Sequence, residues 1–400
     1  MAALRVLHVA SHEINVGDGA LNEAIRSGLK TLYGQDIDFD LRDVAVFREE
    51  ISPDVLDTYD LVIVGGGGGI SNGAFASRTG TPMPVSLDAY SRTRTPFVFV
   101  GLGHNLFNGQ TLRYARQLSQ LLEVVRRKGD IFSVRNDGSR SRLLEEIGAS
   151  ADIIREIPDP GFFIAAPERW PSDAGTRPFA LIQIAGDAIK DRLPTSRAGA
   201  LLNRLKRKGS SSPLTDIITQ VAHHLWRKHG LDILLTPHIH HDVPLCSDVL
   251  RNLYSAAGRN SVHRPFRMGG TPHPMHANEF FGRYRAARLV IGMRGHAVIC
   301  GIGMRCPTIA LSSHPKVGDF LESCDLADWS VPLSSNSASA LIERSDALLA
   351  NDEGYFAARD HATKPFQERF NQLLADALTI ATKRRQLRLR LQSPVRAVGA

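Results

Sequence analysis

Short apolar or β-branched runs alternate with longer segments of helical period along this chain, and that alternation restricts its fold more than any other property. "LRVLHVA" precedes "ALNEAIRSGLKTLY", "PFVFVGLG" precedes "TLRYARQLSQLLEVVRRKG", and "DIFSVR" precedes "GSRSRLLEEIG". Strands that are apolar throughout, rather than at every second residue, are buried on both faces, which calls for a parallel sheet covered by helices on each side. An α/β layer fold follows. After "PDPGFF" the stretch "AAPERWPSDAGTRP" has no periodicity, and the pattern then restarts with "FALIQIAG", "LTDIITQVAHHLWRKHG", "DILLTP", "ARLVIG" and "PTIALSS". The spacing therefore predicts two α/β domains, at 1–165 and 179–350, joined by a linker at 166–178. A helical segment at 351–385 and a basic tail at 386–400 complete the chain. A length of 400 residues suits this division, since one domain usually takes roughly 100 to 200 residues.

Ligands of open parallel sheets bind beyond the carboxyl ends of the strands, so the cleft between the domains is the expected site. Composition narrows the class. No run of 18 apolar residues occurs and the N-terminus enters "LRVLHVA" without a signal-like segment, so the expectation is a cytoplasmic protein. Four scattered cysteines, Cys246, Cys300, Cys306 and Cys324, form no C-x-x-C pair and read as reduced core residues. The formal charge of +7 is concentrated in "KRKG" at 206–209 and "TKRRQLRLRLQSPVR" at 382–396. Such runs favour a phosphorylated substrate or the anionic inner face of a membrane, or are a solvated tail. Aromatic residues do not interleave with them and no nucleic-acid motif is present, so nucleic acid is not an expected partner.

The chemistry-bearing residues cluster at strand ends. In "VIGMRGHAVICGIGM" (290–304) a buried strand runs into Arg294 and His296 before a helix begins. A strand-to-helix turn already favours an anion through free N–H groups and the helix dipole, and an arginine there completes a phosphate or carboxylate pocket. The next strand ends in "LSSHPK", which brings Ser312, Ser313, His314 and Lys316 to the same sheet edge. In the first domain "HEINVGDGA" (12–20) offers Asn15 and Asp18 to sugar hydroxyls, or Asp18 as a helix cap, with Gly17 and Gly19 open to a ligand. The "GGGGG" run at 65–69 ends a strand, and Gly67 and Gly68 permit either tight packing or close approach of a ligand. Neither it nor "GLGHN" reads as a dinucleotide fingerprint.

Two other patterns are weaker. "GISNG" (69–73) matches G-x-S-x-G, but a poor helix follows Ser71 and the glycine run separates it from its strand. "TPHIHHD" (236–242) sets His238 and His240 on one side with Asp242 nearby. It lacks the further spaced ligands of a zinc site, so His238 is read as lining the cleft and no metal is expected.

In order along the chain, "NVGDGAL", "YDLVIVGGGG", "GLGHN", "VRNDGSRSRLLEEIG", "IPDPGF" and "RGHAVICGIGMRCPTIALSSHPKVGDF" resemble the blocks of the polysaccharide pyruvyl transferases. The last block is the most specific. Asn136 departs from the aspartate usual in the family, and His104-Asn105 replaces a proline often seen there. What the resemblance implies is a pair of Rossmann-like domains facing a cleft, as in the B-type glycosyltransferases. It also implies transfer of a pyruvyl group from phosphoenolpyruvate to a sugar as a ketal, with no cofactor. The acceptor would be a saccharide of a polysaccharide or its lipid-linked precursor, in cell-envelope exopolysaccharide synthesis. By similarity Arg294 is the donor-binding arginine and His296 the catalytic histidine, and a bound phosphate favours the imidazolium as the acid. Lys316, Ser312, Ser313, Asn15, Asp18, Gly67, Gly68, His104, Asn105 and His238 are the substrate-binding candidates. A nucleotide-sugar glycosyltransferase of similar fold and a non-catalytic glycan-binding protein are the competing readings.

Overall fold

The computed structural model describes residues 3–44, 50–107, 109–148, 150, 152–167, 177–187, 212–257 and 265–392. The first sheet contains β1 (Leu4–Ala10), β2 (Ile37–Asp43), β3 (Leu61–Val64), β4 (Gly67–Ile70), β5 (Phe97–His104), β6 (Ile131–Arg135) and β7 (Ile154–Ile157). Its order is β2-β1-β3-β5-β6-β7 with β4 on β5, and every pairing is parallel. The second contains β8 (Phe179–Gln183), β9 (Asp232–Leu235), β10 (Phe266–Met268), β11 (Leu289–Gly292), β12 (Thr308–Ser312) and β13 (Ser330–Pro332). Its order is β10-β9-β8-β11-β12-β13, again wholly parallel. The two parallel α/β layers expected from the alternation are present.

Continuous apolar runs became strands because both sheet faces are covered. All of β1 except Arg5 is buried, and β3, β6 and β11 are buried throughout. One face of the first sheet packs Val62, Phe99 and Phe132 with Leu118, Leu121 and Leu143 from helices behind it. The other packs Val6, Ile63 and Val98 with Ile25 and Leu29 of the helix Val16–Tyr33. Asn15 starts that helix by accepting a hydrogen bond from Gly17 N–H, and Gly34, at φ 64°, ends it.

The Val16–Tyr33 helix also joins the two layers. Its Val16 and Ala20 pack with Phe280, Phe281, Tyr284, Ala297 and Cys300 of the second. The expected role of Gly17 and Gly19, admitting a ligand, is corrected here. A Cβ at Gly17 would lie 2.5 Å from His296 Nδ1, and one at Gly19 would run into the Pro274 carbonyl. Both glycines let this helix approach the second layer. Helix propensity alone favours Gly19→Ala by about 0.8–1.0 kcal/mol, whereas overpacking against a fixed backbone costs about 1–3 kcal/mol. Gly19→Ala is therefore expected to lower the thermal midpoint, and a rise would show that the interface yields.

The chain stays helical to Gln392, past the boundary at 385 where a basic tail was expected. Arg385 Nη1 donates to Tyr33 Oη at 3.0 Å, Arg388 pairs with Asp60 at 2.8 Å, and Arg384 lies 3.7 Å from Asp57. Phe370, Leu373, Leu374 and Ala377 of the same helix, Phe366–Gln392, are buried on the first sheet's helical layer. Much of the positive charge read as a solvated or membrane-facing run is thus consumed in docking the helix. The preceding helix, Glu353–Thr363, places Tyr355 in the core of the second layer. Residues 168–176 of the expected linker at 166–178, the "KRKG" run and residues 393–400 lie outside the described residues. The four cysteines are free and buried. Among the described residues no helix is long and apolar enough to cross a membrane.

Candidate active site between the two sheets

The carboxyl ends of both sheets face one cleft of about 380 Å³. Its first wall carries Asn15, Asp18, Gly66 to Gly69, Asn105 and Arg135, and its second carries His238, Arg294, His296 and Lys316. The turn after β11 places Arg294 at the N-cap of the helix Gly295–Gly303, with His296 in its first turn. Gln183 at the end of β8 fixes this turn, its Oε1 accepting from Arg294 N–H at 2.7 Å and Met293 N–H at 3.2 Å.

His296 sits where the layers meet. Its Nδ1 lies 3.9 Å from Asp18 Oδ1, and its Nε2 lies 3.5 Å from Asp159 Oδ2 and 3.2 Å from Arg135 Nη1. A neutral ring with its proton on Nδ1 accepts from Arg135, whereas an imidazolium has a carboxylate beside each nitrogen. Each ring nitrogen therefore has a carboxylate within 4 Å as a neighbour for proton exchange. Burial raises the Asp18 carboxyl above the usual range, and His296, Arg135 and Lys316 only partly offset this. Burial acts the same way on Asp159, but Arg135 and His296 outweigh it and hold that carboxyl below the usual range.

Each sheet also contributes one clamped arginine. Arg135, from the end of β6, is 2.9 Å from Asp137 and 3.1 Å from Asp159. Arg294 donates from Nε and Nη2 to the two oxygens of Asp242, at 2.9 and 2.6 Å, and from Nη2 to Asp187 at 2.7 Å. Burial disfavours the charge on Arg294, yet the two carboxylates outweigh it and hold the guanidinium more firmly protonated than usual. The same pairing overcomes burial at Asp242 and depresses its carboxyl. Lys316 Nζ crosses the cleft to donate to Asn105 Oδ1 at 2.7 Å. The polar floor gives way to an apolar lip with Ile14 and Phe75, which are 57% and 42% exposed, and Phe107.

The cleft brings together Arg294, His296, Lys316, Asn15, Asp18, Gly67, Gly68, Asn105 and His238. Arg294 faces carboxylates rather than an open anion hole, a difference from the sequence expectation. Gly67, at φ 113°, gives room to Asp18, since a Cβ there would lie 2.9 Å from its Oδ1. Among the described residues the cleft wall includes neither His104, Ser312 nor Ser313. His104 turns away, its Nε2 3.0 Å from Glu146, and is 2% exposed. Ser312 Oγ donates back to the His314 carbonyl at 3.5 Å.

"TPHIHHD" resolves into separate roles. Asp242 is the partner of Arg294, while His238 Nε2 is 2.6 Å from Tyr284 Oη. Burial drives the His238 pKa down to about 3, so its ring is neutral at working pH. Asn136 accepts from Asp159 N–H and donates to Ser323 Oγ, which itself donates to Phe320 O. An ionised aspartate could not donate, so the departure from the family pattern completes a hydrogen-bond chain across the layers. Ser71 accepts from Gly73 N–H in a turn.

Sequence reading missed Arg135, Asp159, Asp187 and the pairing of Asp242. For Arg135 a signal existed: like Arg294, it ends a buried apolar strand. Asp187 and Asp242 meet Arg294 within the second layer from 107 and 52 residues away, and Asp159 meets His296 only across the two layers.

A family model for polysaccharide pyruvyl transferase matches residues 15–315. No curated protein sequence matches the chain. Similar solved structures include the Staphylococcus aureus MnaA–UDP complex, 12% identical, with a TM-score of 0.54 over 89% of this chain and 91% of that one. The UDP-GlcNAc 2-epimerase of Neisseria meningitidis bound to UDP-GlcNAc is 11% identical, with a TM-score of 0.53 over 94% of this chain and 100% of that one. A putative UDP-N-acetylglucosamine 2-epimerase of Listeria monocytogenes is 13% identical, with a TM-score of 0.52 over 93% and 94%. At these identities the likeness is one of fold, two parallel sheets enclosing a cleft.

Proposed function

This chain belongs to the polysaccharide pyruvyl transferase family, and from that premise we propose that it moves the pyruvyl group of phosphoenolpyruvate onto two hydroxyls of a saccharide. The observation that carries this reading is His296 held between Asp18 and Asp159 beside Arg135, in a cleft that also contains Arg294 and Lys316. Phosphoenolpyruvate carries about three negative charges near neutral pH, so its site needs several fixed cations. Arg135, Arg294 and Lys316 are those cations, and Asp187, the more exposed of Arg294's two partners, is the carboxylate that an incoming anion displaces.

In the proposed reaction His296 protonates the methylene carbon of the enol phosphate, and a first sugar hydroxyl adds to the central carbon. The proton lost by that hydroxyl restores His296 through Asp18. The carbon–oxygen bond to phosphate then breaks as the second hydroxyl adds, and the second hydroxyl's proton leaves on phosphate. A methyl group, a ketal and inorganic phosphate result, with atoms and charge balanced. The apolar lip of Ile14, Phe75 and Phe107 suits the C–H face of an acceptor sugar ring. We place that acceptor on a polysaccharide or its lipid-linked precursor, and the reaction needs no cofactor.

The test is incubation with phosphoenolpyruvate and a panel of saccharides, beside incubation with UDP-GlcNAc. Acceptor-dependent phosphate release and a new ketal methyl resonance are expected. Release of UDP with phosphoenolpyruvate untouched overturns the reading in favour of a nucleotide-sugar enzyme.

Asp18 gives a second test. Because its folded pKa is raised, ionising it weakens the fold: stability from this group is full below the unfolded pKa and is lost as pH rises through the folded one. Asp18→Asn is therefore expected to raise the urea midpoint at pH 7 while lowering turnover about 10²-fold or more. The wild-type rate should fall as pH drops through the raised pKa, and a flat profile there excludes Asp18 as the base.

A further inference from the structure

Away from the cleft, three ligating side chains converge on the second layer. The helices Pro213–His229 and Ser337–Ala350 pack together and bring His224, His229 and Asp346 to one point. His224 Nε2 and His229 Nε2 lie 2.8 and 2.6 Å from the same oxygen, Asp346 Oδ1. All the donor atoms fall within 4.8 Å of one another. The histidines are five residues apart, a spacing that does not stack side chains on a regular helix. His229 reaches back because it is the last helical residue before Gly230, which turns the chain at φ 65°. Its side chain and that of His224 are each 22% exposed, so the cluster is anchored by packing yet open to solvent.

From this convergence we infer that His224, His229 and Asp346 form a binding site for a divalent transition-metal ion, best matched by zinc, which pins the two helices together. Two imidazoles and one carboxylate are a donor set that zinc prefers, and the fourth position is left for water. Binding moves each imidazole proton from Nε2 to Nδ1, which leaves an in-plane lone pair on Nε2 to face the ion. Lys228 Nζ donates to the other carboxylate oxygen, Oδ2, at 2.7 Å. It can keep that contact while Oδ1 binds the ion, acting as an outer partner that orients the ligand. The site is separate from the proposed transfer chemistry and does not depend on it.

The test uses the full chain, free of any affinity tag and stripped with a chelator, titrated with zinc chloride in a calorimeter. One equivalent should bind and raise the thermal midpoint. His224→Gln with His229→Gln should weaken binding by roughly 100-fold or more, since each removes a ligand outright and even outer-shell losses cost 10–100-fold. Cobalt(II) added to the wild-type chain should give the visible absorption of a low-coordinate N/O site, which needs no variant. His224→Gln alone, which leaves the rest of the core intact, should lose that absorption. Absence of stoichiometric binding to the wild type, or binding unchanged in the variants, overturns the site and leaves a hydrogen-bonded cluster.

Discussion

His296→Gln is expected to lower kcat by about two to four orders of magnitude while phosphoenolpyruvate still binds within a few-fold of wild type. Glutamine can offer a polar group to the space near Asp18 and Asp159, but it cannot take up and release a proton. The effect should therefore fall on the chemical step. Donor binding should survive because Arg135, Arg294 and Lys316 remain. Stopped-flow phosphate release gives the rate, and quenching of intrinsic fluorescence by the donor gives the affinity. Near-wild-type turnover with intact binding would remove His296 from the reaction, and lost binding with unchanged turnover at saturation would make it a binding residue only. The pH dependence separates a proton carrier from a spacer, since a spacer's removal leaves the profile unmoved.

Asp242→Ala is expected to produce the largest change in stability, about 3–5 kcal/mol in urea unfolding, because it strands a buried charge. Asp242 is fully buried and accepts from Arg294 Nε and Nη2, from Gly186 N–H and from His238 N–H. Removing it leaves the guanidinium with Asp187 alone, which is 36% exposed, and unties the backbone N–H groups of Gly186, His238 and Ile239 as well. Asp242→Asn should recover part of the loss, since an amide oxygen still accepts hydrogen bonds but brings no charge. The same variants should raise the donor KM more than they lower kcat, because Arg294 loses its fixed direction rather than its charge. Unchanged stability in the alanine variant would mean that Arg294 finds water or another partner, and the clamp would be no more than a surface pair.

The fold was legible because a fully buried strand leaves a strong mark, and "DLVIV", "FVFV" and "LVIG" could satisfy their backbones only in a covered parallel sheet. The cleft followed from strand ends: Arg294, His296, Lys316, Asn105 and Asp18 all lie at the carboxyl edge of a sheet or just after it. Direction within an edge was not legible. Asn105 and His104 are neighbours at the end of β5, yet one meets Lys316 in the cleft and the other turns to Glu146. Long-range partners were also hidden. Nothing near Asp242 in the sequence announces Arg294, 52 residues on, because spacing shows proximity along the chain alone. The helix end at Gln392 was missed for a similar reason: a run of arginines reads as solvated until Asp57 and Asp60 are seen beneath it.

The final helix has a mechanical meaning. The backbone passes from one layer to the other between Ile157 and Phe179, and returns between Thr363 and the buried Phe370. Phe370, Leu373 and Leu374 fasten the end of the chain to the layer in which the chain begins. A chain cut after Thr363 would therefore lose this clasp and lay bare the apolar face of Ile25, Leu29 and Ile63.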